Sequence, residues 1–282
     1  MKAVATYQKL RGGYYTPKPI ADFLAQWAIQ APDTQTLEPS CGDGILLQAA
    51  IERLSEMGVD NNRLIHQLHG IEFDPVEALK TTERVHSFTG LTPTHIHNED
   101  FFAYCRTHLL EKQYFDAVIG NPPFVRYQNF PEEHRNSAFY LMQRAGLHPT
   151  RLTNSWVPFL VASTLLLKDN GRLAMVIPAE LLQVNYTAEV RYFLSRYYRS
   201  IALITFKKLV FNGIQQEVVL FLGERNGGEH TGIRTIELEG INDLASYDHA
   251  ALAQITLKEM DHSTEKWTKE SSTNKMIKQF GA

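Results

Sequence analysis

Residues 34–48 read TQTLEPSCGDGILLQ, a stretch that predicts a strand, a glycine turn and a helix in direct succession. The glycines Gly42 and Gly44 follow the strand, and an apolar helical run begins at Ile45. Glycines at the end of a strand let the backbone turn tightly and approach a ligand at the carboxyl edge of a parallel sheet. The turn lacks the GxGxxG spacing, so it fits a pyrophosphate cradle poorly.

Strand and helix patterns continue to alternate on the carboxyl side of this turn. The alternation between residues 34 and 222 is typical of a parallel sheet with crossover helices. The strand candidates are, in order, TQTLEPS, LIHQLHGIEFD, THIHNED, FDAVIGNPP, RLAMVIP, SIALITF and EVVLFLG. The closing segment EVVLFLGERNGGEHTGIRTIELEG predicts strand, turn and strand, so we expect an antiparallel hairpin at the edge of the sheet.

An amphipathic helix is expected ahead of the first strand. Thr16 followed by Pro17 is a helix start, and the apolar residues that follow share one helical face. These residues are Ile20, Phe23, Leu24, Trp27 and Ala28.

Composition excludes several classes of protein. The chain has 282 residues, of which 44% are hydrophobic and 21% charged, as in an ordinary globular protein. It shows neither an apolar run of about 18 residues nor a signal peptide, so we expect a cytoplasmic protein with no membrane partner. The two cysteines, Cys41 and Cys105, are too few for a zinc cluster, and no metal site is expected. A net charge of -3 means that any polyanion must meet a local basic surface.

Acidic and aromatic residues end the second and third strand candidates. Glu72 stands where an acid accepts hydrogen bonds from the ribose of a nucleoside cofactor, although it could also cap the helix near Pro75. Asp74 fills that capping role better. Asp100 could accept an adenine amino hydrogen while Phe101 packs on the base, but the tripeptide NED by itself favours a helix cap over a ligand site.

The fourth strand candidate ends in NPPF, residues 121–124. Proline after Asn121 holds this residue in an extended conformation, which fixes its side-chain acceptor beside backbone carbonyls. That geometry suits a planar amino group, and Phe124 would stack on the ring that bears it. A plain Asn-Pro turn is the other interpretation.

The ordered set GGYYTPKPIADFL, EPSCGDG, GIEFDP, NEDFF and NPPF resembles a family of S-adenosylmethionine-dependent DNA methyltransferases. They are the adenine-N6 enzymes of the γ arrangement, with motif X at the N-terminus, found in type II and IIG restriction–modification systems. The likeness covers about residues 11–222. It implies an α/β, Rossmann-like methyltransferase fold: a mostly parallel seven-stranded sheet with an antiparallel strand at one edge and helices on both faces.

The resemblance also implies roles for particular residues. Asn121, Pro122 and Phe124 would form the catalytic loop. The segment LVFNGIQQEVVLFL resembles a late motif whose aromatic residue packs on a flipped base, which points to Phe211, although a core phenylalanine fits as well. The residues implied to contact the cofactor are Tyr15, Thr16, Glu38, Ser40, Cys41, Gly42, Glu72, Phe73, Asp100, Phe101 and Asn121.

The implied reaction is direct methyl transfer to N6 of an adenine flipped out of double-stranded DNA. Cytosine N4 is a close alternative, although the family's cytosine enzymes usually carry serine in place of Asn121. Protein-glutamine N5 methyltransferases share NPP but lack the GGYYTP segment. Two further alternatives are methylation of an RNA amino group and a scaffold that binds the cofactor or DNA without turnover.

The resemblance divides the chain at residue 240. Residues 1–240 would form the catalytic domain, and 241–282 a linker toward a target-recognition domain or subunit that this chain does not contain. The segment 124–154 carries four arginines that could contact DNA. They are Arg126, Arg135, Arg144 and Arg151.

Overall fold

The computed structural model describes residues 15–109, 114–208, 210, 217–225, 232–247, 249–255 and 266–267. The helices are α1 (Lys18–Ala28), α2 (Ile45–Glu56), α3 (Asn61–Gln67), α4 (Pro75–Thr89), α5 (Phe101–Tyr104), α6 (Glu132–Arg144), α7 (Trp156–Leu165), α8 (Glu180–Gln183), α9 (Ala188–Tyr197) and α10 (His249–Gln254). The strands are β1 (Thr36–Glu38), β2 (Leu68–Glu72), β3 (Ile96–Asn98), β4 (Phe115–Gly120), β5 (Leu167–Pro178), β6 (Ser200–Phe206), β7 (Val218–Glu224) and β8 (Gly232–Leu238).

These strands form one sheet in the order β3-β2-β1-β4-β5-β7-β6-β8. Strands β1 to β5 are mutually parallel, and β8 runs parallel to β6. Strand β7 is antiparallel to both of its neighbours, β5 and β6. The α/β class and the mostly parallel sheet are therefore confirmed, with eight strands in the described residues instead of the seven expected.

Two details at the end of the sheet were predicted wrongly. The antiparallel strand β7 lies inside the sheet and not at its edge, and β7 and β8 do not form a hairpin because β6 lies between them. The reason is the sequence of β6, in which Ile201 to Ile204 are all buried. A strand buried on both faces belongs in the interior of a sheet. Since β7 lies between β5 and β6, the other edge of β6 is covered by β8.

Alternating side chains divide the core into two clusters, one on each face of the sheet. In β5, Leu173, Met175 and Ile177 belong to one cluster, whereas Ala174 and Val176 belong to the other. Helices α5, α6, α7 and α9 contribute to the first cluster, and α1, α2, α3 and α4 contribute to the second. The prediction of helices on both faces is thus confirmed.

Packing continues beyond residue 240, where the linker was expected. Leu244 and Leu252 are buried in the second cluster, and the backbone N–H of Trp267 donates to Leu182 O at 2.8 Å. The division at residue 240 stays a prediction. Among the described helices, none has the length and apolar character to cross a membrane.

The placement of β7 against α9 can be tested at Gly223. A Cβ atom there would lie 2.8 Å from the ring of Tyr198, which is buried and whose hydroxyl lies 2.8 Å from Thr164 Oγ1. We expect Gly223→Ala to lower the free energy of unfolding in urea by about 1–3 kcal/mol because the ring has no room to move. Gly240→Ala, where nothing lies within 4 Å, is the matched control and should change it by less than about 0.5 kcal/mol. Equal values for the two variants would contradict this packing.

Candidate functional site

A cavity of about 580 Å³ lies at the carboxyl ends of β1, β2, β3 and β4. The chain segments that follow these strands form most of its wall. The sequence-predicted residues that line it are Tyr15, Ser40, Gly42, Glu72, Phe73, Asp100, Phe101 and Asn121. Tertiary structure therefore brings most of the expected cofactor residues to one place.

The carboxylate of Glu72 joins two backbone segments at the edge of this cavity. Its Oε2 accepts the N–H of Gly42 at 2.9 Å, and its Oε1 accepts the N–H of Asp74 at 2.8 Å. Gly42 has a φ of 52°, a conformation that favours glycine, so the turn brings this N–H close to the acid. Asp74 caps α4 by accepting from Val76 at 2.8 Å, as the sequence favoured. Glu72 is thereby oriented at the cavity.

Two polar side chains beside the glycine turn have buried atoms with no hydrogen-bond partner in the described part of the chain. They are Ser40 Oγ, on the cavity wall, and Glu38 Oε2, at the end of β1 and not on that wall. Burial, together with the nearby Asp43 and Glu72, raises the pKa of Glu38 well above its usual range. Leaving such an atom unbonded costs about 1–3 kcal/mol. An unpartnered hydroxyl on a cavity wall is what a site for a polar ligand requires.

Some predicted residues lie outside this wall. Cys41 is buried in the second core cluster, where burial raises the pKa of its thiol. Thr16 is buried and does not reach the cavity, but its Oγ1 accepts a hydrogen bond from Asn121 Nδ2 at 3.1 Å. Pro122 is also buried. Phe211 lies outside the described residues, so its stacking role stays a prediction.

Asp100 serves as both a helix cap and a cavity residue. Its Oδ1 accepts the N–H of Ala103 at 2.8 Å, and its Oδ2 lies 2.9 Å from Nδ1 of His134. Burial raises the pKa of the Asp100 carboxyl. Phe101 stacks on Phe159, with ring centroids 5.2 Å apart and planes within 7°. Sequence reasoning missed His134, because a single histidine on a helix carries no signal until α6 packs over the cavity.

The loop after β4 is held by Ser155, which precedes α7 and is 1% exposed. The Ser155 hydroxyl accepts the N–H of Val125 at 2.9 Å and donates to the carbonyl of Pro123. The backbone N–H of Ser155 donates to Val125 O at 2.9 Å. Ser155 therefore fixes the backbone on both sides of Phe124. This residue was also missed, since nothing in the sequence NSW indicates which carbonyl it would meet.

A second cavity of about 590 Å³ lies on the other side of this loop. Asn121, Pro123 and Val125 line the first cavity, whereas Phe124 and Arg126 line the second. An extended backbone directs successive side chains to opposite sides, which explains the alternation. The other residues that line the second cavity are Asn154, Trp156, Ala179, Glu180, Gln183, Val184 and Glu217.

One wall of the second cavity is polar. The hydroxyl of Tyr186 donates to Glu180 Oε2 at 2.6 Å, and Asn154 Nδ2 lies 3.4 Å from the same oxygen. Burial and the neighbouring Glu180 raise the pKa of Tyr186, so this hydroxyl stays protonated. The two cavities thus share the NPPF loop, with an amide on one side and an aromatic ring on the other.

The arginines of segment 124–154 differ in their surroundings. Arg126 is exposed beside the second cavity. Arg135 lies over the ring of Tyr127, 4.6 Å from its centroid, and donates to Phe130 O at 3.3 Å. Arg126 is therefore better placed than Arg135 to meet an anionic ligand.

Comparison with known proteins identifies the family. The model of the protein family described as Eco57I restriction-modification methylase matches residues 50–211, which are more than half of the 282 residues. The chain belongs to the Eco57I restriction-modification methylase family. The resemblance to type II restriction–modification methyltransferases is thereby confirmed, whereas the γ arrangement stays a prediction.

Individual relatives of this Eco57I-family chain are longer than it is. The type II methyltransferase M.AccI of Acinetobacter calcoaceticus is 25% identical over 212 residues, which cover 73% of this chain and 35% of M.AccI. M.BanIII of Aneurinibacillus aneurinilyticus is 27% identical over 233 residues, 76% of this chain and 38% of M.BanIII. The chain thus spans well under half of each relative.

The fold is shared with solved structures. The cryoEM structure of a DrdV–DNA complex matches 89% of this chain and 31% of its own chain, with a TM-score of 0.69 and 14% identity. At this identity the likeness shows the fold alone.

The support that Ser155 gives to the loop predicts a local effect of its removal. In Ser155→Ala, Val125 N–H and the Pro123 carbonyl lose their side-chain partner, a loss of about 1–2 kcal/mol. We expect the Val125 amide to exchange with deuterium roughly 5–30-fold faster. Ser163→Ala is the control, because Ser163 is buried on α7 and its hydroxyl has no partner in the described residues. Equal exchange at Val125 in both variants would refute the proposed support.

Proposed function

We propose that this chain is the catalytic part of a DNA methyltransferase that moves a methyl group from S-adenosylmethionine to N6 of an adenine flipped out of double-stranded DNA. The observation that carries the proposal is the position of the NPPF loop between two cavities. One cavity has the residues expected for a nucleoside cofactor, and the other has an aromatic ring for a base. The family membership supports the same reaction class.

The first cavity suits S-adenosylmethionine residue by residue. Glu72 would accept the ribose hydroxyls, Asp100 the adenine amino hydrogen, and Phe73 and Phe101 would pack on the base. Ser40, whose buried hydroxyl has no partner in the described residues, would bond the cofactor near Asn121. When bound, the cofactor supplies an electrophilic methyl group on its sulfonium.

Asn121 would act on the acceptor amino group. The bond from its Nδ2 to Thr16 fixes the direction of the amide, so Oδ1 points away from Thr16. This oxygen and the Pro122 carbonyl would accept the two amino hydrogens and stabilise the positive charge that develops on nitrogen. Burial keeps both cysteines protonated, and no cysteine nucleophile takes part.

The second cavity would hold the flipped base against Phe124. Flipping costs a few kcal/mol, and stacking on an aromatic ring returns about 1–3 kcal/mol. Arg126, exposed beside this cavity, would contact the DNA backbone. Because a net charge of -3 gives no overall attraction to a polyanion, we further propose that a target-recognition domain or subunit helps this chain to bind DNA. Such an enzyme would work in the cytoplasm.

The N-terminal segment favours DNA over a protein-glutamine acceptor. Tyr15 lines the cofactor cavity and Thr16 holds Asn121, so the YTP sequence is part of the site. The protein-glutamine enzymes lack this segment. RNA amino groups and cytosine N4 remain alternative acceptors, and analysis of the methylated product distinguishes them from adenine N6 of DNA.

The role of Asn121 predicts a selective loss of catalysis. With the recognition domain or subunit present in the assay, Asn121→Ala should lower methyl transfer to plasmid DNA at least about 100-fold, because an acceptor aimed at the developing charge is removed. Affinity for S-adenosylmethionine should stay near normal. Transfer is measured with radiolabelled methyl groups, and digestion with mass spectrometry identifies the methylated nucleoside.

Asn61→Ala is the control, since Asn61 bonds Thr89 O at 2.9 Å on a different part of the fold. Unchanged turnover in Asn121→Ala would remove this residue from the mechanism. Detection of N4-methylcytosine, methylated RNA or methylated protein as the product would show that the acceptor is not adenine N6 of DNA.

The role of Glu72 predicts an effect on binding. Glu72→Ala should weaken S-adenosylmethionine binding roughly 10–100-fold by calorimetry, because charged hydrogen bonds contribute about 1.5–3 kcal/mol. Turnover at saturating cofactor should change less, since ribose is remote from the methyl group. Glu52→Ala is the control, because Glu52 pairs with Lys18 at the surface. An unaltered affinity in Glu72→Ala would exclude Glu72 from the site.

A further inference from the structure

His134 contacts two residues of the first cavity at once. Its Nδ1 lies 2.9 Å from Asp100 Oδ2, and its ring meets Phe73 edge to face, with centroids 4.6 Å apart and planes at 74°. His134 itself lines the cavity and its side chain is 19% exposed. It comes from α6, in the segment that the sequence associated only with DNA.

Both partners of His134 belong to the same part of the proposed cofactor site, so the inference rests on the proposed function. Asp100 would bind the edge of the adenine, and Phe73 would cover its face. We propose that His134 is a positioning residue for the adenine base of S-adenosylmethionine, which holds the Asp100 carboxylate and the Phe73 ring in place for it.

Asp100 needs this second contact to stay oriented. The cap bond from Ala103 fixes Oδ1, and the imidazole fixes Oδ2. Each carboxylate oxygen has two acceptor positions, so Oδ2 keeps one for an amino hydrogen while it binds His134. Burial raises the pKa of Asp100, and the nearby His134 opposes that rise. The contact therefore favours the ionised form, which accepts the adenine amino hydrogen more strongly.

Phe73 also depends on the contact. Phe73 is 60% exposed, so much of its surface has no protein neighbour. The edge of His134 against this ring limits its motion, and an ordered ring loses less entropy when a base stacks on it.

The helix that carries His134 is itself anchored. Ser137 accepts a hydrogen bond from Arg106 at 3.1 Å, and Leu141 and Met142 are buried in the core. Phe130, just before α6, packs on Phe102 with centroids 6.0 Å apart. His134 is thus presented from a fixed platform.

Calorimetry of S-adenosylmethionine binding to the purified chain tests the proposal. We expect His134→Ala to raise the Kd roughly tenfold, the order expected for a lost hydrogen bond to a charged group. His134→Asn should stay within about threefold of wild type, because its amide nitrogen takes the place of Nδ1 and donates to Asp100, and only the weaker ring contact with Phe73 is lost. If asparagine restores binding, the lower affinity of His134→Ala comes from the lost hydrogen-bond donor and not from a general loss of packing.

The matched control is His148→Ala. His148 also pairs with a carboxylate, at 2.7 Å from Glu189 Oε1, but its side chain is 85% exposed and it does not line the cavity. This variant should leave the Kd within about twofold of wild type, because exposed pairs contribute little. Thermal denaturation of each variant shows that the fold is retained.

A cofactor analogue with hypoxanthine in place of adenine separates positioning from a structural role. Hypoxanthine has a carbonyl where adenine has its amino group, so a held carboxylate should reject it. Wild type and His134→Asn should prefer adenine, and His134→Ala should lose most of that preference. If His134 had only a structural role, His134→Ala would weaken the binding of both cofactors equally.

The outcomes distinguish the two proposals. If wild type binds S-adenosylmethionine but His134→Ala keeps its Kd, or loses affinity equally for both bases, the role of His134 is overturned and the proposed function stands. If wild type binds neither cofactor, the proposed function fails and the role of His134 fails with it.

Discussion

The extended backbone after β4 is the constraint on which both cavities depend. Proline after Asn121 and the bonds from Ser155 to Pro123 and Val125 keep this segment straight. Because successive side chains then point to opposite sides, Asn121 faces one cavity and Phe124 the other. A helical turn at this point would place both side chains on one side, and the loop would no longer contribute a side chain to each cavity.

The first cavity is assembled from segments that are distant in sequence. Parallel strands place the residues after β1, β2, β3 and β4 at one edge, and Glu72 joins the first two of these segments through Gly42 and Asp74. Helix α6 then covers the cavity and brings His134 to Asp100. The segment that the sequence associated with DNA therefore also shapes the first cavity.

The order of the last three strands shows where local patterns stop being informative. Each strand was recognised from its apolar run, yet the expected hairpin of β7 and β8 was wrong. Chain neighbours pair in a hairpin by default, but the buried residues of β6 required a strand on both sides, and only the whole sheet could satisfy that requirement. Leu244 and Leu252 show the same limit, since a polar sequence around them concealed their burial.

The α/β class, the strand ends that carry Glu72, Asp100 and Asn121, and the family resemblance could all be predicted from the sequence, because these features depend on periodicity and on short motifs. Packing between distant segments places Cys41 in the core, brings Ser155 against the loop after β4, and brings His134 to Asp100. These are contacts between residues about 30 or more positions apart. They depend on how α6 and α7 pack against the sheet, which no local pattern encodes.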